Sequence, residues 1–143
     1  MKFGYKGKIE NLDVALKREG AKEGFIVTRS DDNVSLAFDL EHEKSKSYYP
    51  IGFKGKVSED DGHAAIEGKI NVGLYIYAIG VVLYALVIAR LVFSLVNNQQ
   101  RNAIIALVAF GLSVAITVVM VTKIKASKKR IVSFLANLSA SIK

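Results

Sequence analysis

The sequence predicts an α+β membrane protein, in which a small antiparallel β-domain precedes a two-helix transmembrane hairpin and a C-terminal amphipathic helix. Three observations carry that prediction. Charge is unevenly divided: residues 1–70 hold 12 Lys/Arg and all 13 Asp/Glu, a net of −1, whereas residues 71–143 hold 8 Lys/Arg and no acid, a net of +8. Two long uncharged runs follow the acidic part, Val72–Ala89 with 18 residues and Ala103–Thr122 with 20. Before them, short stretches alternate apolar and polar residues around a recurring Gly-Lys step. The predicted domains are a β-rich region over 1–70, a hairpin over 71–122 and a basic amphipathic segment over 123–143.

The Gly-Lys step occurs as YKGKIEN at Tyr5–Asn11, FKGKVSED at Phe53–Asp60 and IEGKIN at Ile66–Asn71. A phosphate-binding loop needs several glycines in one tight turn so that successive N–H groups converge on an anion. Each stretch here has one glycine inside a period-two pattern. Tyr5, Gly7 and Ile9 oppose Lys6 and Lys8; Phe53, Gly55 and Val57 oppose Lys54 and Lys56; Ile66, Gly68 and Ile70 oppose Glu67 and Lys69. Period two marks a half-buried strand, with glycine on the inner face where a bend or a neighbour comes close. The repeat is therefore expected to be architecture.

The remaining polar region fits the same plan. GFIVTRS and VSLAFDL flank a turn at Asp31-Asp32-Asn33, and YYPIGFKGKV and HAAIEGKINV flank SEDDG. With the first stretch this makes about five strands. Asn11–Gly20 reads as strand or as one to two helical turns, and strand is the expectation. Glu41–Ser47 is expected to be an exposed charged connection, and Pro50 suits a strand edge or start.

The apolar runs extend over about 72–96 and 103–122, joined by an outer turn NNQQRN at 97–102. At roughly 1.5 Å per residue the uncharged cores approach the thickness of a bilayer's hydrocarbon. MKFGYKGKIEN has no apolar segment before its charges, so nothing is expected to carry residues 1–70 across a membrane. Lys54, Lys56 and Lys69 precede the first helix, and Lys123, Lys125, Lys128, Lys129 and Arg130 follow the second. The turn has only Arg101. The positive-inside rule then puts both termini in the cytoplasm, in a multi-pass protein of the inner membrane.

The order of elements from Phe3 to Thr122 resembles small uncharacterised bacterial two-span membrane proteins with a cytoplasmic β-rich region. The likeness rests on an aromatic-x-Gly-Lys-Ile strand, an aromatic-Pro-x-x-x-x-Gly-Lys strand and an x-x-Gly-Lys-Ile strand leading into a hydrophobic hairpin. It implies architecture and no activity.

Candidate chemistry is sparse. His42 and His63 lie in charged turns near Glu41, Glu43, Asp60 and Asp61, where solvated side chains are expected rather than metal ligands. Cys is absent, and no nucleophile elbow is present. No catalytic, metal-ligating or cofactor-binding residue is named, no nucleic-acid partner is expected, and the chain is not read as an enzyme.

The membrane region is more informative. Arg90 stands inside the first span, where a charge costs roughly 2.5–3.5 kcal/mol at the centre. It lies six residues from Val96 and can snorkel to the headgroups, or pair with an acid on another protein. Ala109, Ser113 and Thr117 recur at i, i+4, i+8, and Ala78, Ala85 and Ala89 lie on one side of the first helix. Small residues let membrane helices approach, either within the hairpin or against a partner, and Gly111 with Ala115 could face another subunit. Tyr75 and Tyr77 suit the interface. In the tail, Ile131, Phe134, Leu135, Leu138 and Ile142 fall at helical spacing behind Lys123, Lys125, Lys128, Lys129 and Arg130. That stripe either lies on anionic headgroups or docks on the β-domain or a partner.

The expected role is a non-enzymatic accessory subunit that binds a larger membrane complex through the hairpin and presents the β-domain. The alternatives are a self-associating, holin-like pore, which would be a homo-oligomer, or a membrane-tethered ligand sensor. The lipid bilayer and its anionic headgroups are partners in each.

Overall fold

The computed structural model describes residues 1–46, 51–60 and 62–138. Pro50, Asp61 and Ile142, singled out above, lie outside the described residues. The chain forms two compact units, one of Met1–Val72 with the chain from Lys123 onward, the other Gly73–Thr122.

In the first unit, β1 (Lys2–Tyr5) is followed by α1 (Ile9–Glu23), β2 (Phe25–Ser30), β3 (Asn33–Phe38), β4 (Ile51–Asp60) and β5 (His63–Val72). The strands make one antiparallel sheet in the order β1-β5-β4-β3-β2. Both expected hairpins form. Ser30 pairs with Asn33 across a two-residue turn with Asp31 at φ 51°, a value aspartate tolerates, and Asp60 pairs with His63.

Two expectations fail between Tyr5 and Gly20. The first Gly-Lys stretch leaves the sheet after Tyr5, because Gly7 turns the chain at φ 136°. Asn11–Gly20 is then helix, not strand. Leu12, Val14 and Leu16 alternate, which mimics a strand. The buried set is instead Leu12, Ala15, Leu16 and Gly20, at helical spacing, while Val14 is 63% exposed.

The other two stretches lie on the adjacent strands β4 and β5. Phe53, Val57 and Ile66 are buried, and Lys54, Lys56, Glu67 and Lys69 are exposed. Gly55 pairs with Gly68, and the Phe53 ring lies over the pair. A Cβ on Gly55 would meet that ring at 2.8 Å and Glu67 O at 2.9 Å. The glycines therefore make room for an aromatic side chain in the core.

In the connection after β3 the charged residues Glu41, Glu43, Lys44 and Lys46 are exposed as expected, Ser47 lies outside the described residues, and Ser45 is the exception. A short 3₁₀ turn, Glu43–Ser45, buries Ser45 completely, and its hydroxyl donates to Gly24 O at 2.8 Å.

In the second unit, α2 spans Leu74–Val96 and α3 begins at Gln100. The turn is thus shorter than the predicted 97–102. Asn98 takes φ 54°, and Gln99 N–H donates to Ser94 O at 2.9 Å. Both helices are long and apolar enough to cross a membrane, and 6% of the most apolar window of each is buried. Instead of stopping near Thr122, α3 spans Gln100–Asn137, so the amphipathic tail is not a separate element.

Candidate partner and lipid surfaces

The helix faces of the second unit follow from burial. Along α2, Ile76 and Ser94 are buried and Gly80, Tyr84, Val87 and Leu91 half-buried, recurring every three or four residues. Along α3 the corresponding stripe is Ala103, Ala106, Ala109, Ser113 and Thr117. Tyr84 joins the two, with its hydroxyl 2.8 Å from Thr117 Oγ1 and its ring edge-on to Phe110 at 6.1 Å. Ser94, Ser113 and Thr117 donate to the carbonyls of Arg90, Ala109 and Ser113 at 2.8, 2.9 and 2.9 Å. The hydroxyls of Tyr84, Ser94, Ser113 and Thr117 are thus turned inward and satisfied within the unit, while Tyr75, Tyr77 and Thr122 are exposed near the ends of the apolar runs.

This sorts the small residues. Ala109, Ser113 and Thr117 line the contact within the hairpin, which removes them from an outward partner face. Ala78, Ala85 and Ala89 are exposed. At about 100° per residue they stand nearly opposite the α2 contact stripe. Gly111 and Ala115 are exposed in the same way on α3. Arg90 is exposed, and the region after Glu67 contains no acid to pair with it.

In the first unit the tail's apolar stripe is docked. Ile131 and Leu135 are fully buried, Leu138 is 2% exposed, and the Phe134 ring packs on Phe25 at 4.7 Å. Tyr5 Oη donates to Leu135 O at 2.9 Å, and burial pushes the Tyr5 phenol well above its ordinary pKa. Of the two readings of this stripe, docking on the β-domain is the one the structure adopts.

Arg130 belongs to that dock and not with the headgroup residues. Its guanidinium donates to Lys44 O and Glu23 O, each at 2.7 Å, and meets Glu23 Oε2 at 3.4 Å. It also stands 5.9 Å from the centre of the Phe25 ring. One planar fork thus caps the end of α1 and the 3₁₀ turn together. Lys123, Lys125, Lys128 and Lys129 remain exposed on the same helix.

A cleft of about 290 Å³ lies beside Arg130, lined by Glu19, Glu23, Phe25 and Phe134 among others. Its carboxylates are matched. Hydrogen bonds from Lys22 and Arg18 hold Glu19 below the usual carboxylate range, and Lys44 pairs with Glu23 at 3.2 Å. His42 Nδ1 accepts from Lys44 N–H at 3.3 Å, and His63 is exposed at the β4–β5 turn. Among the described residues no three His, Cys, Asp or Glu gather as a metal site.

The opposite face of the sheet was not singled out from sequence. Lys54 stands directly across from Lys69, and Lys56 from Glu67, with Lys2 beyond. Alternation could have found this face, because the same period that buries Phe53 and Ile66 turns the lysines outward.

Comparison with protein-family models, with curated proteins and with solved structures gives no match.

Proposed function

We propose that this chain is a non-enzymatic integral membrane subunit. Its hairpin crosses the bilayer and binds a larger membrane protein, and its sheet domain stands in the cytoplasm. The observation that carries the reading is the inverted composition of the hairpin. Its large apolar side chains point outward, with Leu83, Leu86, Leu107 and Leu112 between 49% and 63% exposed. The hydroxyls of Tyr84, Ser94, Ser113 and Thr117, within the apolar runs, point inward. In water such a surface would aggregate; in lipid it is the favourable arrangement.

The same pattern argues against a pore, the second reading. A water path needs an outward polar face, and Ser94, Ser113, Thr117 and Tyr84 are used between or along the helices. Arg90 is the one charged residue of α2, and it is exposed. In a partner's membrane region, an acid beside Arg90 would offset the insertion cost.

Purification in mild detergent tests this. The expected result is co-purification of a larger protein in fixed stoichiometry, retained by Arg90→Lys less well than by wild type and lost with Arg90→Leu. A homo-oligomer that conducts ions would sink the reading. Topology is checked with single cysteines at Asn98 and Lys128. An impermeant thiol reagent on intact cells should label position 98 and not 128.

A further inference from the structure

We propose that the outer face of the sheet, the face away from α1, is a second membrane-contacting surface that binds anionic lipid headgroups. The proposal rests on the reading that the hairpin spans a bilayer.

The face is built in rungs across the strands. One rung places Lys69 of β5 against Lys54 of β4, followed by Ser35 of β3 and Thr28 of β2. The next places Lys2, Glu67, Lys56, Asn33 and Ser30 in line. Four lysines thus share two rungs with one acid. Lys54 and Lys69 are a like-charge pair directly opposite, with Cβ atoms roughly 4.5–5.5 Å apart, an arrangement that destabilises a sheet. A neutral polar residue at either position would remove the repulsion. A layer of anions over the rung offsets it.

The character of the face favours lipid as that layer. It carries lysines, which act as point charges, and no arginine fork for bidentate phosphate recognition. Among the described residues it has no aromatic side chain on which a base could stack, the platform of a single-strand nucleic-acid binder. A diffuse layer of headgroups asks only for positive charge within about a Debye length, about 8–10 Å. The chain also keeps the face close to any bilayer that holds the hairpin. Lys69 is five residues before Leu74, the first residue of α2, a reach of at most about 18 Å. The tether gives the headgroups a high effective concentration at the face without any strong individual contact.

The full chain, reconstituted in vesicles, tests the proposal. The sequence has no cysteine, so Thr28→Cys on the outer face and Val14→Cys on α1 each accept one fluorophore. The vesicles are neutral phosphatidylcholine, or the same lipid with phosphatidylserine, each with a headgroup-attached quencher. The expected result is quenching at position 28 that appears with phosphatidylserine and is lost in high salt. It should also be lost in the triple variant Lys54→Gln, Lys56→Gln, Lys69→Gln, with position 14 dark to the quencher throughout. Equal quenching at 28 in both lipids, or none in either, overturns the proposal, including the case in which the lysines serve an acidic protein. Retention in the vesicles after an alkaline wash is scored separately. A chain that washes off overturns the membrane reading and this proposal together; one that is retained but unquenched overturns this proposal alone.

Discussion

The two units solve opposite solvent problems with similar residues. In the first, Phe53 is fully buried and the neighbouring lysines are outside. In the second, Phe93 is 60% exposed while Ser94, the next residue, is 1% exposed. A core that excludes water is built in one unit, and in the other the apolar groups face out and polar groups bond within. The difference is what the proposed placement of each unit in a different medium requires, and substitutions chosen in pairs, one in each unit, test that placement.

The largest contrast is between the two phenylalanines. Phe53→Ala should destabilise the sheet by about 3–5 kcal/mol, because it opens a cavity over the Gly55–Gly68 pair. Phe93→Ala should leave the sheet's stability unchanged. Denaturation of the detergent-solubilised chain, read by hydrogen exchange in β4 and β5, measures both. A similar loss from both variants would break the division into units.

An added carboxylate reverses the ranking. Leu86→Asp, near the middle of α2, should raise the cost of insertion by about 3–4 kcal/mol. Val14→Asp, on the exposed side of α1, should change stability by less than about 0.5 kcal/mol. Membrane-integrated protein after an alkaline wash gives the first result and thermal unfolding the second. Normal integration of Leu86→Asp would mean that the hairpin's outer face is not in lipid.

How much of this was legible depended on the range of the interaction. The apolar runs and the two β-hairpins follow from local composition, period and turn residues, and they were readable. The α1 helix was not, because Leu12, Val14 and Leu16 satisfy period two and Leu12, Ala15 and Leu16 satisfy the helical period. Only the sheet it packs on decides between them. The role of Arg130 was hidden for a different reason. Its main acceptors are the backbone carbonyls of Glu23 and Lys44, 107 and 86 residues away in sequence. A carbonyl is the same in every residue and leaves no side-chain signature. From sequence, Arg130 was one more cation beside Lys128 and Lys129.

Arg130 also separates geometry from charge. Arg130→Lys keeps the charge but cannot reach Glu23 O and Lys44 O in one plane, so about 1.5–3 kcal/mol should be lost from the dock. Lys129→Ala, at an exposed neighbour, should cost almost nothing. Protease resistance of the tail reports the difference. Equal resistance in Arg130→Lys and wild type would return Arg130 to the surface lysines.

The smallest effects come from two tyrosine hydroxyls, one in each unit. Tyr84→Phe removes the bond to Thr117 inside the hairpin and should cost about 0.6 kcal/mol, the usual size of a hydrogen bond between membrane helices. Tyr5→Phe removes the bond to Leu135 O and should cost about 0.5–1.5 kcal/mol near neutral pH. The Tyr5 effect also depends on pH, and its sign follows from burial. The folded state holds the proton above the ordinary phenol pKa of about 10, whereas the unfolded chain releases it there. Above that pH the unfolded state binds fewer protons, so the stability present below it declines as the pH rises toward the folded pKa. Lysines titrate in the same range, so the measured quantity is the difference between wild type and Tyr5→Phe. The first should lose stability more steeply than the second from pH 10 upward. Parallel profiles would mean that the Tyr5 phenol reaches water, and that the tail is not held on the sheet domain in solution.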